Sequence, residues 1–401
     1  MRNRFSPAGQ FFVLAMLLFA TVVCLPGASW AQNFKFSTLY VFKNNGTDPS
    51  TPAGFLILDS AGNLYGESLA GGTSDFGTVF EITSKGKLSV LHNFQGAPND
   101  GEGGQGLPAP TVGLARDSAG NLYGTTAQGG NSTGCDRGCG VAFKLTPAGE
   151  ETILHNFGPT EGPSNVILDP NGNLYGTTFN DGVNASGTVF EIKGGKYTVL
   201  YNFCSVANCE DGEFPDSGLV RDAAGNLYGV TLQGGAADEG TVFKVTPSGV
   251  ETVLHSFLGP PTDGGRPEGN LKQDNKGNLY GTTFEGGLND AGALFKQPED
   301  GSADTILYSF FTLPHGTDGF NPLGSVQIDK SGNFYGTATG SDLDSVVWEV
   351  TSSGEEKVLK TLGDGMGGLN GLVIDANGNL YGTTTGQDTT PGSVFKLTLV
   401  K

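Results

Sequence analysis

The sequence predicts an all-β fold, a seven-bladed β-propeller with four-stranded antiparallel blades, from three observations. A motif close to GNLYGTT occurs seven times, each repeat divides into four short strand-like segments, and glycine accounts for 66 of the 401 residues. Repeats of about 20–50 residues are typical of solenoids, propellers or arrays, and glycine supplies the tight turns between closely spaced strands. Four antiparallel strands per repeat favour the propeller.

The motif is aligned on its asparagine, and successive copies lie 46 to 58 residues apart. The seven positions are Asn63, Asn121, Asn173, Asn226, Asn278, Asn333 and Asn379. The fourth copy contains the segments GLVRD, NLYGVT, GTVFKVTP and ETVLHSF, separated by the turn-forming stretches AAG, LQGGAADE and SG. No segment has the apolar spacing of an amphipathic helix.

Two large aromatic positions recur in each copy, and we expect them to pack one blade against the next. The second strand contributes Tyr65, Tyr123, Tyr175, Tyr228, Tyr280, Tyr335 and Tyr381. The third strand contributes Phe80, Phe143, Phe190, Phe243, Phe295, Trp348 and Phe395.

The seventh copy ends on its third strand, at GSVFKLTLVK, and lacks a fourth. Near the beginning of the chain, STLYVF matches the fourth strands ETILHNF and YTVLYNF at the aliphatic, aromatic and final Phe positions. The strand at 37–42 is therefore predicted to complete the last blade and close the ring. An open solenoid is the alternative, but it would need polar capping repeats.

An aspartate lies three or four residues before each Gly-Asn step, where its carboxylate can accept N–H groups across the turn. The seven are Asp59, Asp117, Asp169, Asp222, Asp274, Asp329 and Asp375. A ring of metal sites is the alternative, but one carboxylate per turn favours turn capping.

Residues 1–31 are predicted to be a secretory signal peptide, because Arg2 and Arg4 precede the apolar run FFVLAMLLFATVVCL and small residues lead to Ala31. The run is shorter than the roughly 20 residues of a membrane-spanning helix. The valines before Cys24 disfavour a lipoprotein signal. We expect a secreted or periplasmic protein without a membrane span, with one propeller domain at 34–401.

Loss of Arg2 and Arg4 with the signal peptide changes the formal charge from −19 to −21. Such a chain repels nucleic acid and anionic lipid. Four cysteines remain in two close pairs, Cys135 with Cys139 and Cys204 with Cys209. In an oxidising compartment they predict two disulfides, with local pairing preferred among three connectivities. A zinc site is disfavoured because no histidine lies near either pair.

The combination GNLYGTT, GG, GTVFK(L/V)TP and ETVLHNF resembles the repeats of the choice-of-anchor tandem repeat GloVer-containing proteins. The resemblance covers 34–401 and implies an exported bacterial protein with a propeller-like region, without an assigned activity or catalytic residues. Copy six departs most, with Phe334, Ala338 and Trp348 replacing the usual Leu, Thr and Phe, so we expect a distorted sixth blade. The chain also ends in KLTLVK, without a hydrophobic anchor.

Long variable loops are predicted on one face of the ring, and binding function usually lies on such loops. Five Asp-Gly steps occur in the loops that lead into the next blade, at Asp100, Asp211, Asp263, Asp318 and Asp364. These carboxylates are candidates for holding Ca²⁺ or a polyhydroxylated ligand around the channel mouth. The alternative, which we favour, is a repeated turn.

No catalytic motif is visible, because His92, His155 and His255 align with Tyr40, Tyr201 and Tyr308 on the fourth strand, and His315 lies in a loop. The leading hypothesis is therefore a monomeric, secreted, non-enzymatic binding module for a carbohydrate, a cation or an extracellular protein. A propeller enzyme that hydrolyses or cleaves polysaccharide is the first alternative, since blades can combine carboxylates that spacing does not reveal. A structural cell-surface component is the second.

Overall fold

The structure, a computed structural model, describes residues 33–43, 45–98, 100–102, 113–313, 316–340, 344–363, 371–387 and 390–400. These residues form seven four-stranded antiparallel sheets, so the predicted seven-bladed propeller is confirmed. The predicted signal peptide lies outside the described residues. None of the helices in the described part of the chain is long and apolar enough to cross a membrane.

The strands of each blade follow one another from the axis to the rim. Blade 1 contains β2 (Pro49–Leu58), β3 (Leu64–Gly71), β4 (Thr78–Ile82) and β5 (Leu88–Asn93). Blade 2 contains β7 (Ala115–Arg116), β8 (Leu122–Thr125), β10 (Val141–Leu145) and β11 (Glu151–Asn156). A two-stranded ribbon of β6 (Gly101–Glu102) and β9 (Gln128–Gly129) lies beside them.

The next three blades repeat this order. Blade 3 contains β12 (Pro163–Leu168), β13 (Leu174–Thr178), β14 (Thr188–Lys193) and β15 (Lys196–Asn202). A single 3-10 turn, Ala207–Cys209, precedes blade 4, which contains β16 (Val220–Arg221), β17 (Leu227–Thr231), β18 (Thr241–Val245) and β19 (Glu251–Ser256). Blade 5 contains β20 (Gly264–Gln273), β21 (Leu279–Gly286), β22 (Ala293–Gln297) and β23 (Thr305–Ser309).

The last two blades complete the ring. Blade 6 contains β24 (Phe320–Ile328), β25 (Phe334–Thr339), β26 (Ser345–Val350) and β27 (Glu356–Leu362). The sheet keeps its four strands, and the irregularity expected of this blade is limited to two register shifts between β24 and β25 and one between β26 and β27. Blade 7 contains β28 (Val373–Ile374), β29 (Leu380–Gln387), β30 (Thr390–Val400) and, at its outer edge, β1 (Asn33–Val41).

The N-terminal strand closes the ring as predicted and is longer than the matched motif. β1 pairs with β30 from Asn33 opposite Val400 to Val41 opposite Ser393. Beyond its end, Phe42 is 1% exposed and packs edge-on against Phe80 of blade 1. The strand therefore belongs to blade 7 but also anchors that blade to blade 1.

Aromatic side chains make the contacts between blades. The final Phe of an outer strand packs against the third-strand aromatic of the next blade, with ring centroids 4.9–5.7 Å apart across six junctions. The third-strand aromatics are at most 1% exposed. The predicted interblade role of these side chains is confirmed.

The third-strand aromatic rings explain why the LYGTT motif has a glycine at its third position. Gly229, for example, lies opposite Phe243 in the β17–β18 ladder, and a Cβ on Gly229 would meet that ring at 2.6 Å. A Cβ on the equivalent glycine of every other blade would lie within 2.7 Å of its aromatic ring. The motif therefore combines a turn, a packing tyrosine and a glycine beneath the next strand's ring.

Candidate functional site

The four described Asp-Gly carboxylates, Asp100, Asp211, Asp263 and Asp318, lie in separate blade junctions and are buried. Asp364 lies outside the described residues. None of the metal-ligand clusters found among the described residues contains two of them. Calcium binding by these residues stays a prediction.

Each junction carboxylate accepts a hydrogen bond from, or pairs with, one side chain of the preceding outer strand. The hydroxyls of Tyr201 and Tyr308 donate to Asp211 and Asp318 at 2.7 and 2.8 Å. In two other junctions a histidine replaces the tyrosine: His92 Nε2 lies 3.1 Å from Asp100, and His255 Nε2 lies 3.0 Å from Asp263. These histidines align with the tyrosines as expected, but they contact acids rather than serving only as packing.

Loop N–H groups complete the bonding of these carboxylates. Asp318, for example, accepts the N–H groups of Thr312 and Leu313 at 2.8 and 3.2 Å. An equivalent acid, Asp48, accepts the hydroxyl of Tyr40 at 2.7 Å where blade 7 meets blade 1. The Asp-Gly pattern missed Asp48 because Pro49 follows it. Its spacing from Tyr40, equal to that of Asp100 from His92, is a signal that could have found it.

A second acidic residue reaches four of these junctions from the next blade, at the first or preceding position of its outer strand. These residues are Glu151, Glu251, Asp304 and Glu356. Burial, followed by the charge of Asp211, raises the pKa of Glu251 to about 7. Burial and the charge of Asp318 raise the pKa of Glu356 to about 8. Two adjacent carboxylates cannot both ionise cheaply, so each pair tends to retain a proton.

Glu67 is a further buried acid that the sequence pattern did not single out. It occupies the position held by Thr125 and Thr177 in blades 2 and 3. Its oxygens have no hydrogen-bond partner among the described residues, and burial raises its pKa to about 8. It faces Gly124 of blade 2, where only a glycine leaves room for it.

Both predicted disulfides are present with the preferred local pairing, Cys135 with Cys139 and Cys204 with Cys209. The first lies between β8 and β10 of blade 2, and the second lies between blades 3 and 4. Both are on the loop-rich face. The carbonyl of Cys209 accepts the N–H groups of Gly212 and Gly235, so the second disulfide is joined to the loops of blade 4.

Side chains fill the axis of the ring beneath this face. The first strands of neighbouring blades contact one another, so they line the axis. The Asn165 amide of blade 3 donates to the Asn270 amide oxygen of blade 5 at 3.3 Å, and that oxygen also accepts the N–H of Gly218 in blade 4. Phe55 of blade 1 packs against Gly371 of blade 7, where a Cβ would collide with the ring. A ligand entering from the loop-rich face therefore meets this floor.

Four residues, three among the first residues of β2, β20 and β24 and one in the loop before β16, have left-handed backbone conformations immediately before a proline. They are Thr51, Phe214, Arg266 and Asn321, with φ between 48° and 58°. Both features are costly for a residue with a side chain. The N–H groups of the last three are held by the carbonyls of Ser186, Glu239 and Ala291, each in the preceding blade. The strain places these side chains at the channel mouth, as is common at binding sites.

The side chains of blades 3–5 form a mixed aromatic and acidic surface at this mouth. Phe214 stacks on Phe179 with centroids 5.1 Å apart and an interplanar angle of 26°. Arg266 pairs with Glu285 at 3.2 Å, and the side chain of Glu239 approaches the neighbouring Gly265. We call this surface, Phe179, Phe214, Glu239, Arg266 and Glu285, the mouth site.

Two further acids lie next to the mouth site, each directly after the proline of its blade. Burial, followed by the negative charge of Glu268, raises the pKa of Asp216 to about 7. Burial also raises the pKa of Glu268, although Arg266 opposes the shift. Carboxyls whose pKa is raised by burial and by a neighbouring acid are common at functional sites. The sequence missed the pair because the two residues come from different blades.

The fold and this loop-built mouth define the class: a seven-bladed β-propeller with a floored channel. Residues 29–223 and 205–395 both match the model of the Gloeobacter/Verrucomicrobia repeat. The chain belongs to that family. A search of curated proteins found no match.

Solved structures with the same fold include lyases. Virginiamycin B lyase from Staphylococcus aureus has a TM-score of 0.61 and 15% identity, covering 92% of this chain and 100% of the lyase. A streptogramin B lyase has a TM-score of 0.61 and 14% identity, covering 92% of this chain and 98% of its own. At this identity the similarity shows the fold alone.

Proposed function

We propose that the protein is an exported, non-enzymatic binding module that holds a neutral glycan at the mouth site. The observation that carries the proposal is the Phe179–Phe214 stack, in which Phe214 is fixed in a left-handed conformation before Pro215. A side chain held in a costly conformation at a channel mouth favours a role in recognition over a role in packing.

The chemistry around the stack suits a polyhydroxylated ligand. An aromatic surface accepts the C–H face of a sugar ring, and a few polar groups fix its orientation. The carboxylates of Glu239 and Glu285 accept hydroxyl hydrogens, and Arg266 donates to sugar oxygens. The formal charge of the exported chain, −21 after loss of Arg2 and Arg4 from the −19 of the full sequence, repels acidic polysaccharides, so the proposed glycan is neutral.

Binding is tested with the purified full chain on an array of neutral and acidic glycans, followed by calorimetry on the best ligand. Phe214→Ala is expected to weaken affinity at least about tenfold, which corresponds to roughly 1.4 kcal/mol. Phe311→Ala is the matched control, because Phe311 also has a positive φ of 60° and lies exposed on the same face.

The proposal requires that Phe311→Ala bind as the unaltered protein does. Equal losses in both variants, or preference for acidic glycans, would contradict it. If no glycan binds and an extracellular protein binds at the mouth site instead, the ligand of this site is a protein and the glycan proposal is wrong.

A polysaccharide-cleaving enzyme is the second candidate, and the Asp216–Glu268 pair favours it. One member of such a pair is able to act as general acid and the other as general base. Assays for new reducing ends and for unsaturated products test this on a polysaccharide panel. Turnover that disappears in both Asp216→Asn and Glu268→Gln would replace the binding proposal.

A further inference from the structure

Three potential metal-ligating side chains converge where blade 1 meets blade 2, away from the mouth site. His92 comes from β5, Asp100 from the connecting loop and Glu151 from β11. One ligand atom from each lies within 4.8 Å of the other two. The side chains are 16%, 9% and 11% exposed, so the cluster is nearly buried.

The distances match those of a small tetrahedral cation. His92 Nε2 lies 3.1 Å from Asp100 Oδ2 and 3.9 Å from Glu151 Oε2, and the two acids are hydrogen-bonded to each other. Bonds of about 2.0–2.2 Å around tetrahedral zinc separate neighbouring ligand atoms by roughly 3.4 Å. A single ion is therefore able to bond all three atoms after shifts of a few tenths of an ångström.

The carboxylate of Asp100 is fixed in position by the backbone. Its Oδ2 accepts the N–H of Gln95 at 2.8 Å, and its Oδ1 accepts the N–H of Gly101 at 2.6 Å. Metal-ligating carboxylates are commonly held in this way by outer hydrogen bonds. One oxygen of Glu151, Oε1, is buried without a hydrogen-bond partner in the described part of the chain.

We propose that His92, Asp100 and Glu151 bind one zinc-class divalent cation that crosslinks blades 1 and 2. The two carboxylates balance the charge of the ion, and the imidazole selects zinc-class metals over Ca²⁺ and Mg²⁺.

Two other junctions lack the arrangement in which one histidine nitrogen lies close to both acids. In the junction of blades 4 and 5, Asp263 faces His255 Nε2 at 3.0 Å, but Asp304 faces Nδ1 at 3.6 Å. The ligand atoms of these three residues also lie within 4.8 Å of one another, but the ring nitrogen nearer Asp304 is not the one that faces Asp263, which is a less favourable arrangement for a single ion. Between blades 3 and 4 the histidine is replaced by Tyr201, which leaves the acids without an imidazole.

The test is calorimetric titration of zinc chloride into the EDTA-treated full chain, with calcium and magnesium chlorides as controls. One tight zinc site per chain is expected. His92→Tyr, which installs the residue used at position 201, is expected to weaken it by more than the roughly 10–100-fold that loss of an outer-shell partner costs. His255→Tyr, the matched control, is expected to keep the tight site.

A second variant distinguishes the loss of a metal ligand from a folding defect. Glu151→Gln keeps the His92–Asp100 contact, and its expected result is weaker zinc binding with an unchanged circular dichroism spectrum. Zinc is also expected to raise the melting temperature of the unaltered chain and of His255→Tyr, but not of His92→Tyr. No zinc heat, an unchanged tight site in His92→Tyr, or its loss in His255→Tyr would overturn the proposal.

Discussion

The two faces of the propeller use carboxylates in different ways. On the face of short hairpins, the aspartate of every turn accepts the N–H of its motif asparagine at 2.8–2.9 Å. On the loop-rich face, each described junction acid contacts a side chain of the preceding outer strand, and that side chain is Tyr in some junctions and His in others.

The pKa values separate the second acids of the junctions from the turn aspartates, whereas the junction residues Asp100 and Asp263 have lowered pKa values as the turn aspartates do. Burial alone would raise the pKa of Asp222, but the groups of Asn226 and Tyr228 that donate to it lower that pKa. At the junctions, burial and a second acid raise the pKa of Glu251 and Glu356. One face is therefore fixed by bonds within one turn, and the other depends on contacts between blades.

The largest expected effect tests the contact that closes the ring. Deletion of residues 32–43 removes β1 and buried Phe42, leaving β30 as an unpaired edge and exposing the face of blade 1. Loss of a buried Phe alone costs about 3–5 kcal/mol, so we expect the melting temperature to fall by at least several degrees or folding to fail. Differential scanning calorimetry measures the change. An unchanged melting curve would contradict closure by this strand.

The next effect compares one acid from each face. Asp318 is 0% exposed, and Asp318→Ala leaves the Tyr308 hydroxyl and two loop N–H groups without their acceptor. We expect a loss of about 2–4 kcal/mol, since each buried unsatisfied group costs about 1–3 kcal/mol. Asp222→Ala frees groups that water reaches more easily, and its expected loss is about 1–2 kcal/mol.

Urea unfolding of both variants gives the two free energies. A larger loss for Asp222→Ala would reverse the ranking of the faces. The same comparison should hold for Asp211 against Asp169, which extends the test to neighbouring blades.

The short-hairpin face was predictable because all of its contacts lie within one motif. Asp222, Gly225 and Asn226 fall within five residues, so the sequence pattern contains the whole turn. The aromatic packing was predictable because Tyr228 and Phe243 recur at fixed positions. The acid pairs were not, since Asp211 and Glu251 belong to different repeats and nothing in either motif marks the contact.

The mouth site was hidden for the same reason. Phe179 and Phe214 come from different blades, and the left-handed conformation of Phe214 is unfavourable before a proline, so local preference opposes it. The predicted disulfides needed no such contact, because each joins cysteines four or five positions apart.

A smaller effect on stability is expected from the motif glycine of the second strand, which lies between the two faces of the propeller. Gly229→Ala places a methyl group against the Phe243 ring, and overpacking of this kind costs about 1–3 kcal/mol. Gly363→Ala is the matched control, because no atom lies within 4 Å of its Cβ position. Chemical denaturation of both variants measures the difference. Equal free energies of unfolding would show that the strands shift to make room for the methyl group at little energetic cost.

The pH dependence should also separate the faces. A carboxyl whose folded pKa is raised contributes stability below its unfolded pKa, and that stability is lost as pH rises through the folded pKa. For Glu251 and Glu356 the loss should run from about pH 4.5 to about pH 8. Glu67, buried without a partner among the described residues, acts in the same direction. The turn aspartates whose pKa is lowered act oppositely, losing stability below about pH 4; they are Asp59, Asp117, Asp169, Asp222, Asp274 and Asp375.

Melting curves from pH 5 to pH 8 measure this effect. Glu251→Gln and Glu356→Gln should each flatten the decline by roughly 1–2 kcal/mol, a value reduced for the solvent that reaches both groups. Glu150→Gln, an exposed change of the same charge, should leave the slope unchanged. A steeper decline in the Glu251 or Glu356 variant would show that the sign is wrong.

The smallest expected stability effect comes from the disulfides, and it separates two regions of the loop-rich face. Each closes a loop of only a few residues, so removal of either should cost about 2 kcal/mol or less. The two disulfides should differ in their effect on ligand binding.

The carbonyl of Cys209 accepts the N–H groups of Gly212 and Gly235, and Phe214 follows in the same loop. The Cys135–Cys139 pair, in contrast, lies in blade 2. Replacement of Cys204 and Cys209 by Ala should therefore weaken glycan binding severalfold, while the same change at Cys135 and Cys139 leaves it unchanged. Calorimetry on the two double variants measures this difference, and equal affinities would mean that the Phe214 conformation is held by its backbone contacts alone.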